Sequence, residues 1–433
     1  MKKLFTLVLL SALSLLHSQE RATVITYDID NFWQAYDKIV ATNNPEEQHH
    51  YLKTLFLDKG TPGLEEIIEA RNYTAQEYLD AIKNYHKFWQ SVRPNTYKAK
   101  DFAKEIEAGV VKLKDLYPEL KPAPVYFTIG AMRTGGTARN GIVLIGSEMA
   151  LTDKNTVSSE ISGALGAGRR VYFDSNPIDD VVMLNIHEYV HTQQKDIVHN
   201  LLSEVIYEGV AEFVSVKAMG QPSSTPAVHF GKKNPGVKKK FEEEMFNYRT
   251  QGKWLWSDVR NEFNMRDLGY YVGYALCEKY YNEAADKKAA IKKMIELDYT
   301  NEAEIEAFVD GTKFFSAPLE ELYRRYEASR PVVAKVSGIE NGSTTVKPGL
   351  TTVTVTFSEP MDRNSRNFDY GPLGENNVLA IQRLIGYSDD GKSISFEVDL
   401  QPGRHYQMTV ASGFRNVKDT PLKPYLIDIT TTK

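Results

Sequence analysis

Ser175 to Lys195 reads SNPIDDVVMLNIHEYVHTQQK. Asn176 can cap a helix, Pro177 fits its first turn, and Asp179 and Asp180 fall where the positive helix start favours acids. Ile178, Val181, Val182, Met183, Leu184, Ile186, Tyr189 and Val190 then cover nearly every side. A helix apolar all round belongs inside a domain. Into this helix the sequence places His187 and His191, four apart, with Glu188 directly after the first. Residues four apart stack one turn above another, so both imidazoles can meet a single ion. Glu188, rotated about 100° away, falls beside a water held by that ion, where a general base would stand.

Zinc in a catalytic site takes three protein ligands and leaves one position for water. The next apolar stretch, SEVIYEGVAEF (Ser203–Phe213), carries Glu204, Glu208 and Glu212 at every fourth position. Val205, Ile206, Val210, Ala211 and Phe213 make it a buried helix, expected from about Ser203 to Met219 and ending at Gly220, and a buried carboxylate needs a partner.

HEYVH followed by YEGVAEF resembles the gluzincin metallopeptidases, most closely the bacterial family of predicted zinc-dependent proteases. The resemblance implies Zn2+ held by His187, His191 and Glu208, Glu188 as catalytic base, and Glu212 as an outer residue orienting a ligand histidine. Sixteen residues separate His191 from Glu208, slightly fewer than in aminopeptidases, so Glu212 stays open as an alternative ligand. A metzincin would need glycine at 194 and histidine at 197, where this chain has Gln194 and Ile197. GAMR (Gly130–Arg133) lacks the glutamate of the aminopeptidase GxMEN motif. Tyr270, Tyr271 and Tyr274 fall where gluzincins supply an oxyanion donor, although Gly269 and Gly273 four apart favour helix packing there. Gluzincins also present an edge strand to an extended peptide; NGIVLIGSEM (Asn140–Met149) is the candidate, with an ordinary core strand equally compatible.

Upstream, residues to about 120 read as helices. TAQEYLDAIKNYHKFWQSV has Thr74 as N-cap and apolar residues at helical spacing up to Pro94, and an amphipathic stretch runs from Lys98 to Leu116. PVYFTIGAM and NGIVLIGSEM read as strands joined by the turn RTGGTAR. After Arg330 and Pro331 the period becomes two: Val353, Val355, Phe357; Ile394, Phe396, Val398; Tyr406, Met408, Val410. TTVTVTFSEPMD and LQPGRHYQMTVASGFRNVKDTPL resemble bacterial Ig-like domains, which implies a spacer or attachment module and a cell-surface partner. The expected fold class is therefore α+β: a mostly helical zincin-like domain with a small sheet, residues 19–330, followed by an Ig-like β-sandwich, 331–433.

Lys and Arg total 52 against 57 Asp and Glu, a formal net charge of -5, so no basic surface for nucleic acid is implied. MKKLFTLVLLSALSLLHSQ has the layout of a signal peptide, residues 1–18, too short to span a bilayer. Cys277 is the one cysteine, so no lipid-bearing cysteine stands near residue 18 and no internal disulfide can form. The functional expectation is a secreted or periplasmic zinc peptidase acting on a peptide or protein substrate, without stable membrane insertion. Its rival is a secreted or cell-surface binding protein whose zincin domain is structural or inactive.

Overall fold

The computed structural model describes residues 23–256 and 261–433; the signal peptide expected over residues 1–18 lies outside them. The architecture is α+β, as the sequence implies. Two compact units emerge. The first runs to Ile197 and adds Ile206–His229 and Gly273–Asn301; the second comprises Val198–Val205, Phe230–Val272 and Glu302–Lys433.

The first unit opens with β1 (Val24–Ile25) and helices Tyr27–Ile39, Pro45–Leu55, Pro62–Arg71, Ala75–Asn84, His86–Thr96 and Ala103–Leu116. Thr74 does cap: its hydroxyl accepts from the Glu77 N–H, and Glu77 returns a bond to the Thr74 N–H. The single helix expected up to Pro94 is two, because Tyr85 departs from helical geometry (φ -128°, ψ 46°), and Pro94 lies inside the second.

Beyond them come β2 (Val125–Thr128), β3 (Gly136–Arg139) and β4 (Ile142–Gly146), in the order β1-β2-β4-β3. The first three neighbours run parallel, and β3 pairs antiparallel with β4. RTGGTAR is thus partly a strand, and the turn is Asn140–Gly141, both at positive φ (49° and 72°). That is the tight hairpin geometry an Asn-Gly pair adopts without strain. The β4 stretch, compatible by sequence with either an edge or a core strand, lies inside the sheet, and β3 holds the edge.

The histidine helix, Val181–His191, starts later than its sequence suggested. Asn176 is left-handed (φ 53°), a conformation that excludes N-capping, and its side chain instead accepts from the Lys154 N–H at 2.9 Å. Pro177–Asp180 form a short 3-10 turn between the two. The glutamate helix, Leu201–Met219, stops at Gly220 (φ 66°). Midway along it Gly209 touches backbone of the helix Leu268–Glu283: a Cβ at 209 would come within 2.2 Å of the Gly273 carbonyl carbon.

In the second unit the helix Leu319–Ser329 precedes a two-sheet sandwich. One sheet orders β5 (Val333–Ser337), β6 (Gly349–Phe357), β9 (Ser393–Leu400) and β8 (Ile381–Tyr387); the other orders β11 (Tyr425–Thr430), β10 (His405–Val410) and β7 (Phe368–Asp369). All nine alternating residues singled out from the sequence are buried in its core. Between β5 and β6, residues 342–346 run parallel to β11 through four backbone bonds: Gly342 N–H to Asp428 O, Thr430 N–H to Ser343 O, Val346 N–H to Thr430 O and Thr432 N–H to Val346 O.

The glycine contact between helices gives the first expected outcome. Gly209→Ala forces the helices apart and should lower the unfolding free energy by about 1–3 kcal/mol, read from urea denaturation.

Candidate metal centre

His187 and His191 project from one side of the histidine helix, as their spacing requires, and Glu208 meets them from the glutamate helix. His187 Nε2 lies 3.1 Å from His191 Nε2, and Glu208 Oε2 lies 3.2 Å from the first and 3.3 Å from the second. These residues are 7%, 9% and 9% exposed. Ligands held 2.0–2.1 Å from a tetrahedral zinc stand about 3.3 Å from one another, so the donor set fits that ion. Among the described residues this trio is the one cluster with metal-ligand spacing.

Each imidazole is gripped on its far side. Glu212 Oε2 accepts from His187 Nδ1 at 3.2 Å, while its Oε1 accepts from the Ser223 hydroxyl at 2.5 Å. A carboxylate can only accept, so His187 carries a proton on Nδ1, and Nε2 is the ring nitrogen turned inward to Glu208 and His191. His191 Nδ1 faces Gln194 Oε1 at 2.6 Å, and the Tyr207 ring stacks on its face at 4.6 Å. Burial works to raise the Glu208 carboxyl, but His191 and His187 beside it hold it well below the usual carboxylate range. For His187 burial works downward, and the carboxylates of Glu208, Glu212 and Glu188 win, holding it well above the ordinary imidazole value. Glu212 is likewise kept low against its own burial, chiefly by His187.

The structure therefore brings His187, His191 and Glu208 together and puts Glu212 one layer out. Glu204 does not join them: it is engaged by His199 and Gln251. Gln194, Tyr207 and Ser223 were not found from the sequence, since their partners come from fold contacts that no local pattern announces. The tyrosines beyond have packing roles. Tyr274 donates to Glu278 and sets its ring edge-on to Phe213, Tyr270 accepts from the Trp256 indole, and the Tyr271 ring covers Gly231.

Residues 17–305, about two thirds of the chain, match the family described as gliding motility protein GldB, and residues 328–431 match the bacterial Ig-like domain. The chain belongs to the gliding motility protein GldB family. No curated protein matches it. Among solved structures it is similar to the crystal structure of the S-layer protein rSbsC, at 11% identity and a TM-score of 0.18, over 94% of this chain. The chain spans 45% of that protein's length.

The family match overturns the gluzincin reading, because the motility family covers the segment that contains both HEYVH and YEGVAEF. With it go the assignments as enzyme, hydrolase, protease and metalloprotease, and the role of Glu188 as base in peptide hydrolysis. The physical reason is plain. Two histidines one turn apart and a carboxylate from a neighbouring helix specify where an ion can sit, and that geometry is the same whether or not a substrate is ever cleaved. The family is one of the cell envelope, and its motility role implies protein partners. Among the described residues no helix is long and apolar enough to cross a membrane.

Glu188 lies against β3: a Cβ on Gly136 would sit 2.9 Å from its Oε1. Burial raises its carboxyl, opposed by His187 and His191. The loop leading into β3 is pinned from below by Glu148, fully buried, which accepts from the N–H groups of Gly130 (2.9 Å) and Met132 (3.1 Å). Burial pushes Glu148 from 4.5 up to about 7, against the pull of those two amides and of Arg169. A group raised on folding contributes stability that is complete below its unfolded value and is lost as pH climbs through the folded one. Wild-type stability should therefore fall between pH 4.5 and about 7 relative to Glu148→Gln, which cannot titrate. Paired urea unfolding curves at pH 5 and pH 8 check this; parallel behaviour of the two proteins would refute it.

Proposed function

We propose that the chain is a protein-binding component of the gliding machinery, exported to the periplasm or cell surface, in which zinc held by His187, His191 and Glu208 braces the first domain (19–330). The Ig-like module (331–433) serves as its docking or spacing element. The observation that carries the functional reading is the motility family's coverage of residues 17–305.

Support for the brace comes from charge and from distance. Glu188, Glu208 and Glu212 are all less than a tenth exposed, with two imidazoles for company. Carboxylates crowded in a dry space are destabilising unless positive charge joins them. A divalent cation supplies that charge and ties the histidine helix to the glutamate helix, contributing binding free energy to folding. Among the described residues three protein ligands are offered, which leaves the fourth position to water or to a further donor.

Purified protein should carry one zinc per chain. Ligand at 100 times its dissociation constant stabilises a fold by about 2.7 kcal/mol, so a chelator should lower the melting temperature clearly. His187→Ala should lose both the zinc and that increment. A host strain lacking the chain should fail to glide, and one carrying His187→Ala should glide poorly. Metal-free protein with an unchanged melting point would remove the brace, and normal gliding in the deletion strain would remove the motility role.

A further inference from the structure

We propose that Gln194 and Tyr299 are positioning residues of the centre, and that through them the ion is coupled to the seating of residues 287–301. The inference rests on zinc being held by His187, His191 and Glu208.

Gln194 stands three residues past His191, just beyond the end of the histidine helix. Its Nε2 is 3.1 Å from the carbonyl oxygen of Tyr207 and 3.1 Å from Tyr299 Oη, and its Oε1 is 2.6 Å from His191 Nδ1. A backbone carbonyl oxygen can only accept, so the amide must turn its NH2 toward Tyr207. Reversing it would set oxygen against oxygen. The amide oxygen then faces His191, which must donate from Nδ1, and this leaves the Nε2 lone pair directed at Glu208 and His187. The tautomer of the second ligand is thus chosen by a carbonyl on the helix that brings the third.

The series continues. Tyr299 Oη accepts from Gln194 and donates to the Met294 carbonyl oxygen at 2.9 Å. The donors therefore run in one direction, from His191 to Gln194 to Tyr299 to Met294, and bonds aligned in this way strengthen one another. Tyr299 is fully buried and meets the Tyr207 ring edge-on at 5.1 Å, while that same ring lies flat on His191. Met294 belongs to the helix Lys287–Ile295. An ion drawing electron density from His191 makes its Nδ1–H a better donor and tightens the series as far as that helix. By reciprocity, loosening the series weakens the ion.

The test uses the full chain. Zn2+ affinity is measured by chelator competition, the ligand field by the visible spectrum of the Co2+ form, and backbone exchange over residues 287–301 with and without zinc. Gln194→Ala should bind zinc at least about tenfold more weakly than wild type, in the range seen for outer residues of metal sites. Its metal-free form should stay folded with a lowered melting point, and the further rise that zinc gives should be smaller than in wild type, which separates positioning from general damage. Tyr299→Phe, which deletes one oxygen atom, should weaken zinc in the same direction and serves as the test if Gln194→Ala misfolds. Zinc should slow exchange over residues 287–301 severalfold in wild type and not in Gln194→Ala. Equal zinc affinity in all three proteins, with exchange in that segment indifferent to zinc, would overturn the proposal. A wild type that binds no zinc would overturn the metal reading and this inference together.

Discussion

Negative charge in a dry place is the constraint around which the first unit is organised. The histidine and glutamate helices are apolar enough to be buried, and that burial carries Glu188, Glu208 and Glu212 in with them. A buried carboxylate without compensation costs on the order of several kcal/mol, so the space must also admit positive charge. The two imidazoles are the local answer, and their arrangement follows from the need: Nδ1 atoms turned outward to Glu212 and Gln194, Nε2 atoms turned inward to Glu208. At Gly209, one residue after Glu208, the absence of a side chain lets the helix Leu268–Glu283 approach backbone to backbone.

The same constraint explains why a ligand pattern is a poor guide to activity. Spacing of four along a helix and a carboxylate on the next helix are requirements of the ion, and they hold for any protein that keeps one. What such an ion would be for depends on the rest of the molecule and on what the molecule meets. Here the segment that holds the ligands belongs to a motility family. A peptidase reading drawn from five residues and a distant glutamate claimed more than those residues encode.

Much of the fold was nonetheless legible. The period-two runs of the sandwich predicted its core residue by residue, since alternation is imposed by the pleat itself. The apolar runs located both central helices, and burial of the second singled out its glutamates. Misreadings came where a local signal was weak or was overruled. Gly136–Arg139 has no apolar alternation, and the informative pair was Asn140–Gly141 behind it. Asn176 had the right chemistry for a cap and the wrong backbone, because its side chain was needed by Lys154. Gln194 finds Tyr299 across 105 positions, a relation that no window along the chain can display.

One feature of the sandwich bears on mechanics. Residues 342–346 and β11 lie side by side and parallel, near opposite ends of the module. Tension pulling those ends apart would drag the two segments past each other along their length, so that their four bonds strain simultaneously and none can peel first. An antiparallel pair closed by a hairpin opens like a zipper, one bond after the next. Pairing of this kind resists extension along the strands, and it asks nothing of sequence beyond the backbone.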